Sequence, residues 1–119
     1  MKKKIIITGG LGYIGTELCK LYSGVSWHHK IIVIDNRFIS ERVNQLRNWN
    51  MEFIQGDILD KELIKKYCSD ADVVHHLAGI TDVPRVKSES NDKHDVRIKE
   101  VAEEGTQNIL DVIKEDCKI

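Results

Sequence analysis

Short apolar runs alternate along the chain with longer segments in which apolar residues recur every three or four positions. Short apolar runs bounded by turn residues are typical of buried strands, whereas the longer spacing is typical of amphipathic helices. We therefore predict strands at residues 5–7, 30–34, 51–55 and 72–77. Strands that alternate with helices in this way form βαβ units, in which right-handed crossovers connect a parallel sheet.

The first predicted helix follows the first strand and ends at Ser23-Gly24. Ile14, Leu18 and Leu21 share one helical face, so we expect this face to pack on the sheet. The residues expected on its water-facing side are Thr16, Glu17 and Lys20.

The next two helices carry start signals. Ser40 is the predicted N-cap of the second helix, and Asp60 is that of the third, because both side chains can accept a backbone N–H. The apolar positions expected to pack inward are Val43 and Leu46 in the second helix and Leu63, Ile64 and Tyr67 in the third.

A long helix is predicted over residues 91–116, followed at residues 117–119 by the first step of a fifth strand. Gly105 lies inside this helix, where glycine costs about 1 kcal/mol relative to alanine, so we expect another backbone or helix to approach closely there. The pattern stops before the fifth strand is complete.

A glycine-rich turn, Thr8-Gly9-Gly10-Leu11-Gly12-Tyr13-Ile14-Gly15, joins the first strand to the first helix. In this setting Gly9 permits a tight turn, Gly12 leaves room for a pyrophosphate on the backbone, and Gly15 permits close packing of the helix. The unpaired N–H groups and positive dipole end of the helix attract anions. Strand, glycine turn and helix together predict a dinucleotide site, which a glycine triplet alone would not.

The second strand ends in Asp35, 20 positions beyond Gly15. A dinucleotide-binding fold has at this spacing the acid that accepts hydrogen bonds from the adenosine ribose. The alternative is a turn aspartate after a buried strand. A carboxylate there repels a 2′-phosphate and favours NAD over NADP. Arg37 is the one nearby group that could weaken this preference, and the alternative is that Arg37 is a solvated loop residue.

Composition narrows the class of protein. The chain has 119 residues and a net charge of −1, from 18 basic and 19 acidic residues, so neither nucleic acid nor an anionic membrane is an expected partner. The apolar run after Met1-Lys2-Lys3-Lys4 is too short for a secretory signal or a membrane span. The three cysteines are far apart, which indicates reduced thiols and a cytoplasmic protein.

The chain has two histidine pairs, His28-His29 and His75-His76, but no metal site is predicted. The first pair lies in a connection. Neighbours in a strand point to opposite faces, so His75 and His76 cannot chelate one ion together.

Five segments, taken together, resemble the extended short-chain dehydrogenase/reductase family, particularly its NAD-dependent nucleotide-sugar epimerases and dehydratases. They are the glycine-rich turn, Ile34-Asp35-Asn36, Gly56-Asp57-Ile58, Val73-Val74-His75-His76-Leu77-Ala78-Gly79 and Glu104-Gly105-Thr106-Gln107-Asn108-Ile109-Leu110. The similarity runs along the whole chain, with the landmarks in the family's order.

The resemblance implies a doubly wound, Rossmann-like α/β fold with strand order 3-2-1-4, cut short before strand five. It also implies NAD as cofactor and a set of cofactor contacts, although for Asp57 a cap or turn role is the alternative. The implied contacts are Gly9, Gly12, Tyr13, Ile14, Gly15, Asp35, Asn36, Asp57, Ile58, Leu77, Ala78 and Gly79.

The sequence departs from the family pattern at two positions. Ala102 replaces the usual Asn of the last helix, which puts the family's catalytic water and lysine network in doubt, and Gly79 replaces a small alanine. The family's catalytic Tyr-x-x-x-Lys is absent, because Tyr13, Tyr22 and Tyr67 are followed four positions later by Glu, Ser and Ala.

The chain is therefore expected to be the N-terminal, NAD-binding domain (residues 1–119) of a longer enzyme that acts on a nucleotide sugar. No catalytic residue is assigned within it. A stand-alone NAD-binding regulatory module or pseudoenzyme is the main alternative, and a member that binds a protein or RNA is a third. A homodimer or other self-association is also expected, because family members dimerise through helices and an unpaired fourth strand exposes an edge.

Overall fold

The computed structural model describes residues 2–78 and 103–119. Within them the named elements are β1 (Lys4–Thr8), α1 (Tyr13–Tyr22), β2 (Lys30–Asp35), α2 (Ser40–Asn48), β3 (Glu52–Gln55), α3 (Lys61–Cys68) and β4 (Val73–His76). Residues 103–112 are also helical. Gly79, Ala102 and the first part of the predicted last helix lie outside the described residues.

The four strands form one parallel sheet in the order β3-β2-β1-β4. β1 pairs with β2 from Lys4↔Lys30 to Thr8↔Ile34, and with β4 from Ile5↔Val73 to Thr8↔His76. The predicted parallel sheet, its strand order and the Rossmann-like doubly wound fold are confirmed.

Alternate strand residues enter two separate cores, one on each face of the sheet, as the period of two along a strand requires. Ile5 and Ile7 of β1 join the cluster that includes Cys19 of α1 and Val43 of α2. Ile6 joins the cluster on the opposite face, which also includes Ile64 and Cys68 of α3 and Ile109 of the last helix. The near-continuous isoleucine runs are thus those of a sheet covered on both faces.

The predicted inward face of α1 is correct at Leu18, which packs against the first core cluster, but wrong at Ile14 and Leu21. Gly15 and Cys19 are buried, whereas Ile14 and Leu21 are 59% and 79% exposed. Gly15 lies against the backbone of the glycine-rich turn, whereas Cys19 packs in the cluster with Ile5 and Ile7. Thr16, predicted to face water, has its hydroxyl oxygen buried.

The predicted start of α2 is also wrong by one position, since Ser40 is its first helical residue and Ile39 is its N-cap. Asp60 caps α3 as predicted, with its carboxylate accepting the Leu63 N–H at 3.2 Å.

The last helix ends at residue 112 instead of at the predicted residue 116. Lys114 then pairs with Asp72 beside β4 at 2.7 Å. Lys118 forms a parallel bridge to Val73, its carbonyl accepting the Val74 N–H at 2.7 Å. Residues 117–119 thus begin a fifth strand position, and the edge of β4 that was expected to be open is paired at Asp72 and Val74.

Candidate functional site

The carboxyl ends of the strands meet at one edge of the sheet, where backbone hydrogen bonds connect the loops that follow them. The Gly9 N–H donates to the Ile34 carbonyl (2.8 Å), and the Gly56 N–H donates to the Asp35 carbonyl (3.0 Å). Ligands of open α/β sheets bind in the crevice outside this edge. The predicted contacts from the loops after β1, β2 and β3 therefore lie in one place.

The glycine-rich turn has the geometry predicted for it. Gly9 has a φ of +71°, which is readily adopted only by glycine, and its carbonyl accepts the Gly12 N–H at 3.1 Å. A Cβ on Gly15 would lie 2.5 Å from the Gly9 carbonyl oxygen. The helix thus packs against the turn itself, and the first N–H groups of a helix have no partner within it.

Two predicted contacts of the turn, Tyr13 and Ile14, begin α1 with side chains that are 84% and 59% exposed. Their position at the helix N-terminus is the one from which backbone N–H groups contact an anion.

Asp35 is directed at the glycine-rich turn and is only 3% exposed. Its Oδ2 accepts the Leu11 N–H at 3.1 Å and an Arg37 Nη2 hydrogen at 3.3 Å. Its Oδ1 accepts the Arg37 N–H at 3.0 Å and the Arg37 Nε hydrogen at 3.2 Å. Both carboxylate oxygens are therefore hydrogen-bonded, one to the glycine-rich turn and both to Arg37 in the loop after β2.

Two arginines flank the turn. The Arg37 guanidinium lies over Gly12, with Nη2 at 3.5 Å from the position of a Cβ there, and its side chain is 48% exposed. Arg42 of α2, which sequence reasoning missed, donates from Nη1 to the Leu11 carbonyl. Arg42 is the third residue of α2, and no sequence motif marked it as part of the site.

The residues after β2 and β3 that were predicted to contact the cofactor differ in their exposure to solvent. Asn36 and Asp57 are exposed, and Ile58 is buried. The Asp57 carboxylate accepts the Leu59 N–H at 2.9 Å, the turn role that was considered as the alternative. The Ile58 carbonyl accepts a hydrogen bond from the buried Asn108 side chain at 2.9 Å.

Leu77 and Ala78 follow β4 beside the turn, and their N–H groups donate to the Thr8 hydroxyl at 3.1 and 3.2 Å. Ala78 is also close to Gly9, whose added Cβ would lie 2.7 Å from the Ala78 nitrogen. The last member of this predicted group, Gly79, is not among the described residues.

The Thr8 hydroxyl also determines the tautomer of His76. Since it already accepts two N–H groups, its own hydrogen goes to His76 Nδ1 at 2.8 Å. Neutral His76 then carries its hydrogen on Nε2 and donates it to the Thr106 hydroxyl at 3.0 Å. Burial lowers the pKa of His76, which favours this neutral form.

The last helix therefore supports the site at two points that sequence reasoning missed. Thr106 bonds His76 beside the β4 loop, and Asn108 bonds Ile58 after β3. Gly105 lets the Ile58 side chain approach, since an added Cβ would be 2.1 Å from Ile58 Cδ1. The predicted close approach at Gly105 is present, but it is made by a side chain. The sequence signal for these contacts was the Gly-Thr-x-Asn motif at residues 105–108.

His75 and His76 point to opposite faces of β4, as expected for neighbours in a strand. His75 Nε2 is 2.7 Å from the Tyr22 hydroxyl of α1, whereas His76 contacts the last helix. Among residues 2–78 and 103–119, no group of three or more His, Cys, Asp or Glu side chains is arranged to hold a metal ion.

A parallel doubly wound sheet with a glycine-rich turn at its carboxyl edge defines a Rossmann-like protein. The chain belongs to the 3-beta hydroxysteroid dehydrogenase/isomerase family, whose family model matches residues 6–117. The predicted membership of the extended short-chain dehydrogenase/reductase family is thereby confirmed.

Among curated proteins, the chain is 32% identical over 111 residues to a UDP-N-acetyl-alpha-D-glucosaminuronate decarboxylase of Bacillus cytotoxicus, covering 92% of this chain and 32% of that protein. It is 32% identical over 118 residues to a dTDP-D-glucose 4,6-dehydratase of Dictyostelium discoideum, covering 94% of this chain and 26% of the relative. The chain thus spans about a third or less of the length of these relatives.

Among solved structures, a dTDP-glucose 4,6-dehydratase of Streptomyces venezuelae with NAD bound superposes with a TM-score of 0.71 at 23% identity. The match covers 92% of this chain and 35% of that one. This similarity concerns the fold. In the described part of the chain, no helix combines the length and apolar character needed to cross a membrane.

Proposed function

We propose that the chain is the NAD-binding part of a nucleotide-sugar epimerase or dehydratase. The observation that carries the proposal is the contact between the Leu11 N–H of the glycine-rich turn and the buried Asp35 carboxylate, at 3.1 Å. It joins the anion-binding turn and the ribose-binding acid at the crevice where such folds bind dinucleotides. The curated relatives that act on sugar nucleotides support the substrate class.

Each part of the site has a proposed role. The turn from Gly9 to Gly15, with Tyr13 and Ile14 at the helix N-terminus, would hold the pyrophosphate. Asp35 would accept hydrogen bonds from the adenosine ribose.

The remaining contacts extend the site on both sides. Asn36 and Asp57 would flank the adenine, and Ile58, whose side chain is buried, would contribute its backbone. Leu77, Ala78 and Gly79 would lie along the phosphates and the nicotinamide ribose, where the Thr8 hydroxyl fixes the first two.

NAD, when bound, supplies a hydride acceptor for a sugar carbon, which leaves a transient ketone on the sugar. The residues of this chain would bind and orient the cofactor, and no general acid or base is assigned to them. We therefore expect the 119-residue chain alone to convert no nucleotide sugar. Turnover of UDP-glucose with NAD by this chain would contradict that expectation.

The proposal is tested by calorimetric titration of the chain with NAD. We expect saturable binding, and we expect Asp35→Asn to weaken it by about 10- to 100-fold, since hydrogen bonds to a charged group contribute about 1.5–3 kcal/mol. Asp116→Asn is the matched control, because the Asp116 side chain is 84% exposed and its ion pair with Lys114 is long, at 3.9 Å. Circular dichroism at the titration temperature verifies that each variant is folded.

Unchanged NAD affinity in folded Asp35→Asn would remove Asp35 from the ribose role. A stand-alone NAD-binding module remains the alternative, and the reading frame distinguishes the two. Continuation beyond codon 119 into a strand and Tyr-x-x-x-Lys supports the enzyme, whereas a stop codon supports the module.

Self-association and a cytoplasmic location also remain proposals. The thiols of Cys19, Cys68 and Cys117 are free, and burial raises the pKa of Cys19 to about 12 and of Cys68 to about 11. Both buried thiols therefore stay protonated at neutral pH, which suits a reducing compartment.

A further inference from the structure

The ribose side of the crevice presents a neutralised carboxylate instead of a bare one. Arg37 donates to both oxygens of Asp35 from Nε and Nη2, and the backbone N–H groups of Leu11 and Arg37 complete the set. The usual reason for a fold of this kind to reject a 2′-phosphate is the charge of this acid. Here a guanidinium in bidentate contact offsets that charge at the same point.

The same guanidinium is accessible and close to the pyrophosphate cradle. Its side chain is 48% exposed, whereas that of Asp35 is 3% exposed, so a ligand entering the crevice meets the cation first. Its Nη2 lies 3.5 Å from the Cβ position of Gly12, the residue on which a pyrophosphate is expected to rest.

Arg42 adds a second guanidinium on this side, anchored through Nη1 to the Leu11 carbonyl. Leu11 thus lies between an acid that binds its N–H and an arginine that binds its carbonyl. Planar guanidinium groups match the geometry of phosphate oxygens, and an arginine near the ribose is how such folds accommodate a 2′-phosphate.

We propose that the ribose subsite accepts a 2′-phosphorylated adenosine as well as an unmodified one, with Arg37 as the residue that determines this tolerance. The chain would then bind NADP as well as NAD. Arg37 has two effects: it neutralises Asp35, and it offers N–H donors to the phosphate. This inference rests on the proposed dinucleotide site and specifies which dinucleotides enter it.

Parallel calorimetric titrations with NAD and NADP test the proposal on the wild-type chain, on Arg37→Gln and on Arg47→Gln. Arg47 is the matched control, because it lies in the last turn of α2 on an exposed position. We expect the wild-type dissociation constants for NADP and NAD to agree within about tenfold. We expect Arg37→Gln to raise the ratio of the NADP to the NAD dissociation constant by about 10- to 100-fold, as for loss of one charged hydrogen-bonded pair, and Arg47→Gln to leave that ratio unchanged.

Each outcome is decisive. Wild-type protein that binds NAD but discriminates against NADP by more than about tenfold would overturn the inference and leave the proposed function standing. An NADP-to-NAD ratio that is the same in Arg37→Gln and Arg47→Gln would also overturn it. Binding of neither dinucleotide would overturn the inference and the proposed function together.

Discussion

Replacing Gly15 by alanine tests whether the close contact between α1 and the glycine-rich turn shapes the site. An added Cβ would lie 2.5 Å from the Gly9 carbonyl oxygen, 2.6 Å from Gly10 Cα and 2.8 Å from the Gly10 carbonyl carbon. All three atoms belong to the backbone, so no side-chain rotation can relieve the overlap. The turn or the helix must move by about 1 Å to restore ordinary contact.

The substitution has one favourable and two unfavourable effects on the free energy of unfolding. Alanine gains about 1 kcal/mol over glycine in a helix interior. Overpacking costs about 1–3 kcal/mol, and displacing the Gly9 carbonyl also weakens its hydrogen bond to the Gly12 N–H, worth about 1 kcal/mol. We therefore expect Gly15→Ala to reduce the free energy of unfolding by about 1–3 kcal/mol and to weaken NAD binding at least tenfold.

Urea denaturation followed by circular dichroism measures the first effect, and calorimetric titration with NAD measures the second. Gly24→Ala is the matched control, because a Cβ on Gly24 would meet nothing within 4 Å. Its unfolding free energy should change by less than about 0.5 kcal/mol. Equal midpoints for the two variants, at equal urea dependence, would refute the packing argument. A destabilised Gly15→Ala with unchanged NAD affinity would refute the link between packing and the cradle.

Two further predictions concern the last helix and the sheet edge. Asn108→Ala should lower the free energy of unfolding, measured in urea, by about 1–3 kcal/mol, because it leaves the Ile58 carbonyl without its buried donor. The control is Gln107→Ala at an exposed position of the same helix, and equal losses of stability in the two variants would contradict the prediction. Burial lowers the pKa of His76 from its ordinary 6.5, so the unfolded chain binds the extra proton first and stability should fall as pH drops through about 6.5. His76→Asn should flatten this pH dependence in urea midpoints measured from pH 7.5 to 5.5. The dependence that remains should come from His75, whose pKa is also lowered by burial. Constant wild-type stability across that range would contradict the assignment.

The sheet could be predicted from sequence because its signals are local. Each apolar run ends at a glycine or a polar turn residue, and the strand order follows from the family fold once the glycine-rich turn is recognised. The end of β2 at Asp35, the residue paired with Gln55 of β3, followed from spacing alone.

The inward face of α1 was predicted only in part from hydrophobicity, because Gly15 in its first turn packs against the backbone of the glycine-rich turn. Ile14 and Leu21 carry the apolar signal but are exposed, whereas Gly15 and Cys19 carry little of it and are buried. A pattern that ranks residues by apolar character cannot recognise a position such as Gly15, where only a small residue fits.

The hydrogen bonds of Asp35 also could not be predicted from the sequence. Spacing identified it as the acid at the strand end, but the four donors that surround it come from both the turn and the loop, and Leu11 lies 24 positions away. Arg37 is close in sequence, yet only the fold determines whether its side chain turns toward the acid or toward solvent.

The family landmarks are parts of one hydrogen-bonded edge, which explains why they occur together. The last helix contacts the β3 loop through Asn108 and the β4 strand through Thr106, across separations of 50 and 30 positions. His76 in turn bonds Thr8, whose hydroxyl holds the Ala78 N–H beside Gly9. We therefore expect a change in the helix motif to shift a loop at the crevice and to weaken binding at the proposed dinucleotide site, although none of the motif's described residues lies in the glycine-rich turn.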